Sequence, residues 1–140
     1  MNPVIRNILA VVAGVVIGSI VNMALVMAGG QLIPPPAGAD VSSMESLKAT
    51  MHLFQPQHFI FPFLAHALGT LVGAYVAVRL SSSRHMLFAM GIGAFFLLGG
   101  ISNIMMLGGP LWFTLLDLIV AYIPASWLGG QLAGGGLKRG

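Results

Sequence analysis

Apolar residues do not alternate with polar ones along this chain; they run on. Four stretches, Val4 to Met27, Phe59 to Leu80, Met86 to Leu107 and Leu111 to Leu132, are apolar with few interruptions. Crossing a hydrocarbon layer of about 30 Å takes roughly 20 helical residues, and each stretch supplies them. Continuous runs of this length exclude barrel strands, which alternate. Only a helix satisfies its own backbone over such a run in lipid. The pattern therefore predicts an all-α integral membrane protein, a four-helix transmembrane bundle forming one domain over residues 1–140. The first run is longer than the roughly 7–15 apolar residues of a secretory leader, so it reads as a retained helix.

The interruptions predict the connections. Gly108-Gly109-Pro110 is a tight turn between helices three and four. About thirty residues separate helices one and two. They open with the stiff Pro34-Pro35-Pro36. Ser42 and Glu45 then stand at capping-box spacing, and Met44, Leu47, Met51 and Phe54 follow on one helical face. This segment, about 42–54, reads as a short amphipathic helix on the outer surface, ended by Gln55-Pro56. It serves as a lid or as an ordered connector.

Composition agrees with the pattern. Hydrophobic residues make up 57% of the 140 and charged residues 6%, against about 25% charged in soluble domains. Six basic and three acidic side chains cannot cover a soluble surface, and a net charge of +3 built from so few groups is no nucleic-acid-binding face. The bilayer is the expected environment, with no nucleic-acid partner. Cysteine is absent, which removes disulfides, thiolate metal sites and cysteine nucleophiles. Arg6, Arg79, Arg84, Lys138 and Arg139 share one side of the four-helix arrangement. The other side holds Lys48 with Asp40 and Glu45. By the positive-inside rule both termini are cytoplasmic, and a bacterial inner membrane is the expected location.

Small residues mark helix contacts. Ala10, Gly14, Gly18 and Asn22 recur every four residues, as do Gly69 and Gly73, which lets backbones approach closely. Gly18-Ser-Ile-Val-Asn22 resembles Gly99-Gly-Ile-Ser-Asn103, and Gly pairs follow both, so the chain reads as two repeated helical hairpins. Pro124 should kink helix four. Trp112 and Trp127 suit interfacial anchoring.

Candidate chemistry is confined to one polar layer. Asp117 is the single acidic residue within a predicted membrane-spanning helix, about 9 Å from its outer end; His66 lies about 10 Å, Asn22 about 8 Å and Asn103 about 6 Å from theirs. Four helices thus each contribute one strongly polar side chain at similar depth. A carboxylate there costs about 2.5–3.5 kcal/mol on insertion scales unless paired, wetted or neutralised, and a His66–Asp117 pair answers that need. Such a site suits a proton, a cation or a polar substrate arriving from the outer side. Thr70 and Ser102 extend a path inward. Methionines and histidines gather toward the outer side, and thioether with imidazole suits Cu(I). Their spacing forms no compact ligand motif, so His52, His58 and His66 stand only as weak candidates for a metal, and no cofactor is assigned. No nucleophile elbow, carboxylate dyad, P-loop or dinucleotide fingerprint occurs, so nothing points to an enzyme. Two function classes follow. The first is a small transporter or channel-like protein, homo-oligomeric, with its polar site open outward. The second is a non-catalytic accessory or scaffold subunit of a larger membrane complex, the same residues acting as structural clasps.

Overall fold

A computed structural model describes residues 1–134. Lys138 and Arg139, on which part of the orientation argument rests, lie outside the described residues. Those described form helices and turns, with no strand among them. Four of the helical stretches, Pro3–Leu32, Pro56–Leu80, His85–Leu107 and Leu111–Leu132, are long and apolar enough to cross a membrane.

Helix α1 (Pro3–Leu32) is longer than its apolar run predicts. Asn2 caps it, its side chain accepting from the Val4 N–H at 2.8 Å, with Pro3 in the first turn. At the other end Gly29 nests against the Phe61 ring, where a Cβ would collide, and the helix runs on until Ile33-Pro34-Pro35, whose first residue is held out of helical geometry by the proline after it. Helix α2 (Met44–Thr50) is shorter than the expected 42–54. Its cap is Ser43, which accepts from the Ser46 N–H at 3.1 Å. Ser42 instead satisfies Asp40, through its N–H at 2.9 Å and its hydroxyl at 2.6 Å. Two 3-10 turns, Met51–Leu53 and Pro56–Phe59, then lead into α3 (Ile60–Leu80).

Helix α3 occupies the centre. It packs along α1 on one side and against α4 (His85–Leu107) and α6 (Ile123–Leu132) on the other, while α1 and α4 barely touch. The α1–α3 seam is antiparallel and built on glycine. A Cβ on Gly14 would stand 2.6 Å from the Gly73 carbonyl oxygen, and one on Gly73 2.7 Å from that of Gly14. Gly18 and Gly69 are paired in the same reciprocal way, at 2.6 and 2.8 Å. Ala10 and Ala77 close the seam on one side and Asn22 and Ala65 on the other, at the same four-residue step. The core beneath is correspondingly small-chained: Ala74, Ala77, Val78, Ala89, Ile92 and Ala133.

The last apolar run is two helices, α5 (Leu111–Val120) and α6, broken at Ala121–Tyr122. Pro124 causes the break, one turn ahead of itself, because its ring donates no hydrogen bond and crowds the carbonyl four residues back. Helix α5 is lightly held: it makes few contacts with α3, α4 and α6. Its start is pinned where Phe59 meets Trp112 and Phe113, with ring centroids 5.6 and 4.6 Å away. At the opposite end of the bundle the start of α1 grips the α3–α4 loop. Arg6 donates to the Leu80 carbonyl at 2.8 Å, and Asn7 accepts from the Ser82 N–H at 2.7 Å.

The expected equivalence of the two hairpins does not extend to packing. Gly18 lies in the α1–α3 seam, whereas a Cβ on its counterpart Gly99 would meet nothing within 4 Å. Gly29 is helical, whereas Gly108 and Gly109 adopt positive φ, 72° and 128°, in a turn. The shared residues are those that any close helix contact or turn favours.

Candidate functional site

Asp117 projects from α5 toward α3, where His66 meets it. The His66 Nδ1 lies 2.8 and 2.9 Å from the two carboxylate oxygens. An ionised carboxylate only accepts, so Nδ1 carries the hydrogen and Nε2 remains as the nitrogen that His66 offers elsewhere. Tyr122 completes the cluster: its hydroxyl donates to Asp117 Oδ2 at 3.2 Å, and its ring stacks on the imidazole at 5.7 Å between centroids. The Asp117 side chain is 2% exposed and that of His66 20%. The carboxylate is thus sealed behind the imidazole, and the imidazole faces outward from it.

It faces a cavity of about 360 Å³. Ala65, His66, Gly69 and Thr70 of α3 form its floor with Tyr122; Asn22 of α1 and Asn103 of α4 stand on its walls. Three of the four residues expected in one polar layer therefore line one space, and the fourth supports it from behind. Within this group the hydrogen bonds are the three made to Asp117; the Asn22 and Asn103 amides make none to described residues. Thr70 is more telling. It is 1% exposed, and its Oγ1 is buried without a partner. A helical threonine ordinarily has the carbonyl one turn back to bond, and a buried hydroxyl left unpaired costs about 1–3 kcal/mol.

The rim of the cavity is apolar and exposed: Val26 of α1, Gly99 and Met106 of α4. Because α3 closes the back and α1 and α4 hardly meet, the cavity opens sideways through the gap between those two helices. Toward the Arg6 end it is closed by Phe96 and by the dry core around Ile92.

Ser102 does not join the site. It is exposed on α4, since adjacent helical residues point about 100° apart and Asn103 takes the inward direction. The three histidines proposed for a metal are dispersed. His52 sits in the 3-10 turn after α2, and His58 Nδ1 accepts from the Gln55 N–H at 2.9 Å. Among the described residues no group of three or more metal-ligating side chains occurs. Tyr122 is the member that sequence reasoning missed. Five residues beyond Asp117, it would point away from the carboxylate in an unbroken helix; the break before Pro124 turns it back. The proline was the available signal. Comparison with known proteins finds no matching family model, no similar curated protein and no similar solved structure.

Proposed function

We propose that this is an integral membrane protein of four spans with both termini on the cytoplasmic side of a bacterial inner membrane, and that it works as a small homo-oligomeric transporter or channel-like protein. Membrane residence is supported by large apolar side chains left bare along α1, Val4, Ile8, Val12, Val16 and Ile20 among them, a surface that water does not tolerate on this scale. The observation that carries the functional reading is the cavity itself. Three of its polar side chains, Asn22, Thr70 and Asn103, make no side-chain hydrogen bond among the described residues, and a sealed carboxylate backs its one imidazole. A polar ligand satisfies the open groups, and the His66–Asp117 pair supplies a protonatable centre whose charge is shared between two helices.

One observation favours a second reading, an accessory subunit of a larger membrane complex. Among the described residues no polar side chain continues the cavity through the core around Ile92, so passage across the chain requires a movement. The experiment separating the two is proton flux in proteoliposomes, read by an entrapped pH dye under an imposed potential. Transport predicts flux that Asp117→Asn removes while helix content and melting stay near those of the parent protein. No flux above empty vesicles, with Asp117→Asn disturbing assembly instead, rejects it in favour of the accessory role.

A further inference from the structure

The direction in which the cavity opens narrows what can fill it. The polar groups of floor and walls are neutral in sum: two amides, a hydroxyl, and an imidazole nitrogen whose ring is already bound to a carboxylate. The remaining lining and the rim are apolar: Ala65, Phe96, Val26 and Met106. The mouth lies between the flanks of α1 and α4, the same flanks that carry the bare aliphatic side chains of the bundle. A solute arriving from water would have to cross that rim. A molecule already dissolved in the bilayer would meet it directly.

We propose that the cleft binds a bilayer-dissolved amphiphile with a compact, neutral, oxygen-bearing head, of the quinone class, which enters sideways between α1 and α4 and directs its oxygens at Thr70 Oγ1 and His66 Nε2. This rests on the reading of the cleft as a binding site and names its ligand class. Each feature of the cavity has a counterpart in such a head. Carbonyl oxygens accept from Thr70, from the Asn22 and Asn103 amides, and from Nε2 when the ring is protonated; a quinol hydroxyl donates to Nε2 when it is neutral. A flat ring suits the face of Phe96, and an apolar tail leaves past Val26 and Met106. The volume, about 360 Å³, falls within the roughly 300–1,000 Å³ typical of small-molecule sites. A cationic head is disfavoured because the one carboxylate is sealed behind His66 and already shared with Tyr122.

The test uses the full chain, labelled with ¹⁵N-histidine, in phosphatidylcholine nanodiscs. The probe is decylubiquinone. The control is dodecyltrimethylammonium, which has a comparable tail and a charged head without donors or acceptors. The expected result is a saturable shift of the His66 Nε2 resonance with the quinone, no matching shift at His52, His58 or His85, and none with the cation. Thr70→Val, nearly isosteric, weakens the quinone about 3–10-fold, the worth of one hydrogen bond. It melts no lower than the parent protein without the probe, so lost affinity is not lost folding. A His66 resonance unmoved up to bilayer saturation, an equal shift with the cation, or unchanged affinity in Thr70→Val overturns the proposal. Proton flux without quinone binding removes this inference and leaves the transport reading; quinone binding without flux does the reverse.

Discussion

The α1–α3 seam makes a prediction whose sign depends on which glycine is changed. In Gly18→Ala the new methyl would sit 2.6 Å from the Gly69 carbonyl oxygen and 3.2 Å from the Gly73 Cα. Both neighbours are backbone in the middle of a helix and cannot rotate away; only the Phe96 ring, whose Cε2 would stand at 3.2 Å, can yield. Restoring ordinary contact separates the helices by about 0.8 Å, and a gap of that order forfeits roughly a quarter to a half of each dispersion contact along the seam. The overpacking cost is about 1–3 kcal/mol, against which the better helix propensity of alanine returns only about 0.5–1 kcal/mol. Gly14→Ala meets the Gly73 oxygen at the same 2.6 Å. Because the first substitution has already parted the helices, the double variant loses less than the two singles together. Gly99→Ala is the control. Nothing lies within 4 Å of that position, so it is neutral or stabilising by up to about 1 kcal/mol. Unfolding by SDS in mixed micelles, followed by circular dichroism, reads all four proteins. A Gly18→Ala protein as resistant as Gly99→Ala, or strictly additive losses in the double variant, would refute the seam.

Three further outcomes are expected. Tyr122→Phe removes one of the two donors to a buried carboxylate and lowers stability by about 1–3 kcal/mol in the same titration; no loss would place the hydroxyl outside the network. Arg84 holds φ 52° between α3 and α4, a left-handed geometry that costs a side-chain-bearing residue about 1–2 kcal/mol, so Arg84→Gly should raise the melting temperature. The Ser42 hydroxyl and then its N–H hold the Asp40 carboxyl below its usual 3.8. A depressed carboxylate stabilises its turn above the ordinary value and releases it as pH falls through the folded one. Ser42 amide protection should therefore persist at neutral pH and collapse only in acid below 3.8.

What could be read from the sequence, and what could not, divides along a physical line. Hydropathy is local, so the four apolar stretches emerged with boundaries close to those observed. Small-residue spacing is also local, and it marked Gly14, Gly18, Gly69 and Gly73 as contact positions. That those contacts are each other's is a matter of pairing, which spacing does not encode. Depth along a helix is simple arithmetic, and it placed His66 and Asp117 within reach. Rotation about the helix is harder: it separates Asn103 from Ser102, and a break in the helix brings Tyr122 to Asp117 when regular geometry would not. The matched glycines of the two hairpins differ in use, a close contact at Gly18 and open space at Gly99, and the two uses look identical in one-letter code.

The pairing of Asp117 with His66 also bears on how the chain is assembled. On the proposed topology α1 and α3 emerge first and zip along a seam of glycines and alanines that does not involve the carboxylate. The carboxylate emerges 51 residues after the imidazole, on a helix that touches the rest only sparsely. It enters the bilayer carrying a penalty of about 2.5–3.5 kcal/mol, and the group that relieves it is in place only if the earlier helices have already docked. The last span thus tests the assembly of the first three: a chain misassembled upstream leaves a bare carboxylate in lipid, a defect that membrane quality control is equipped to find.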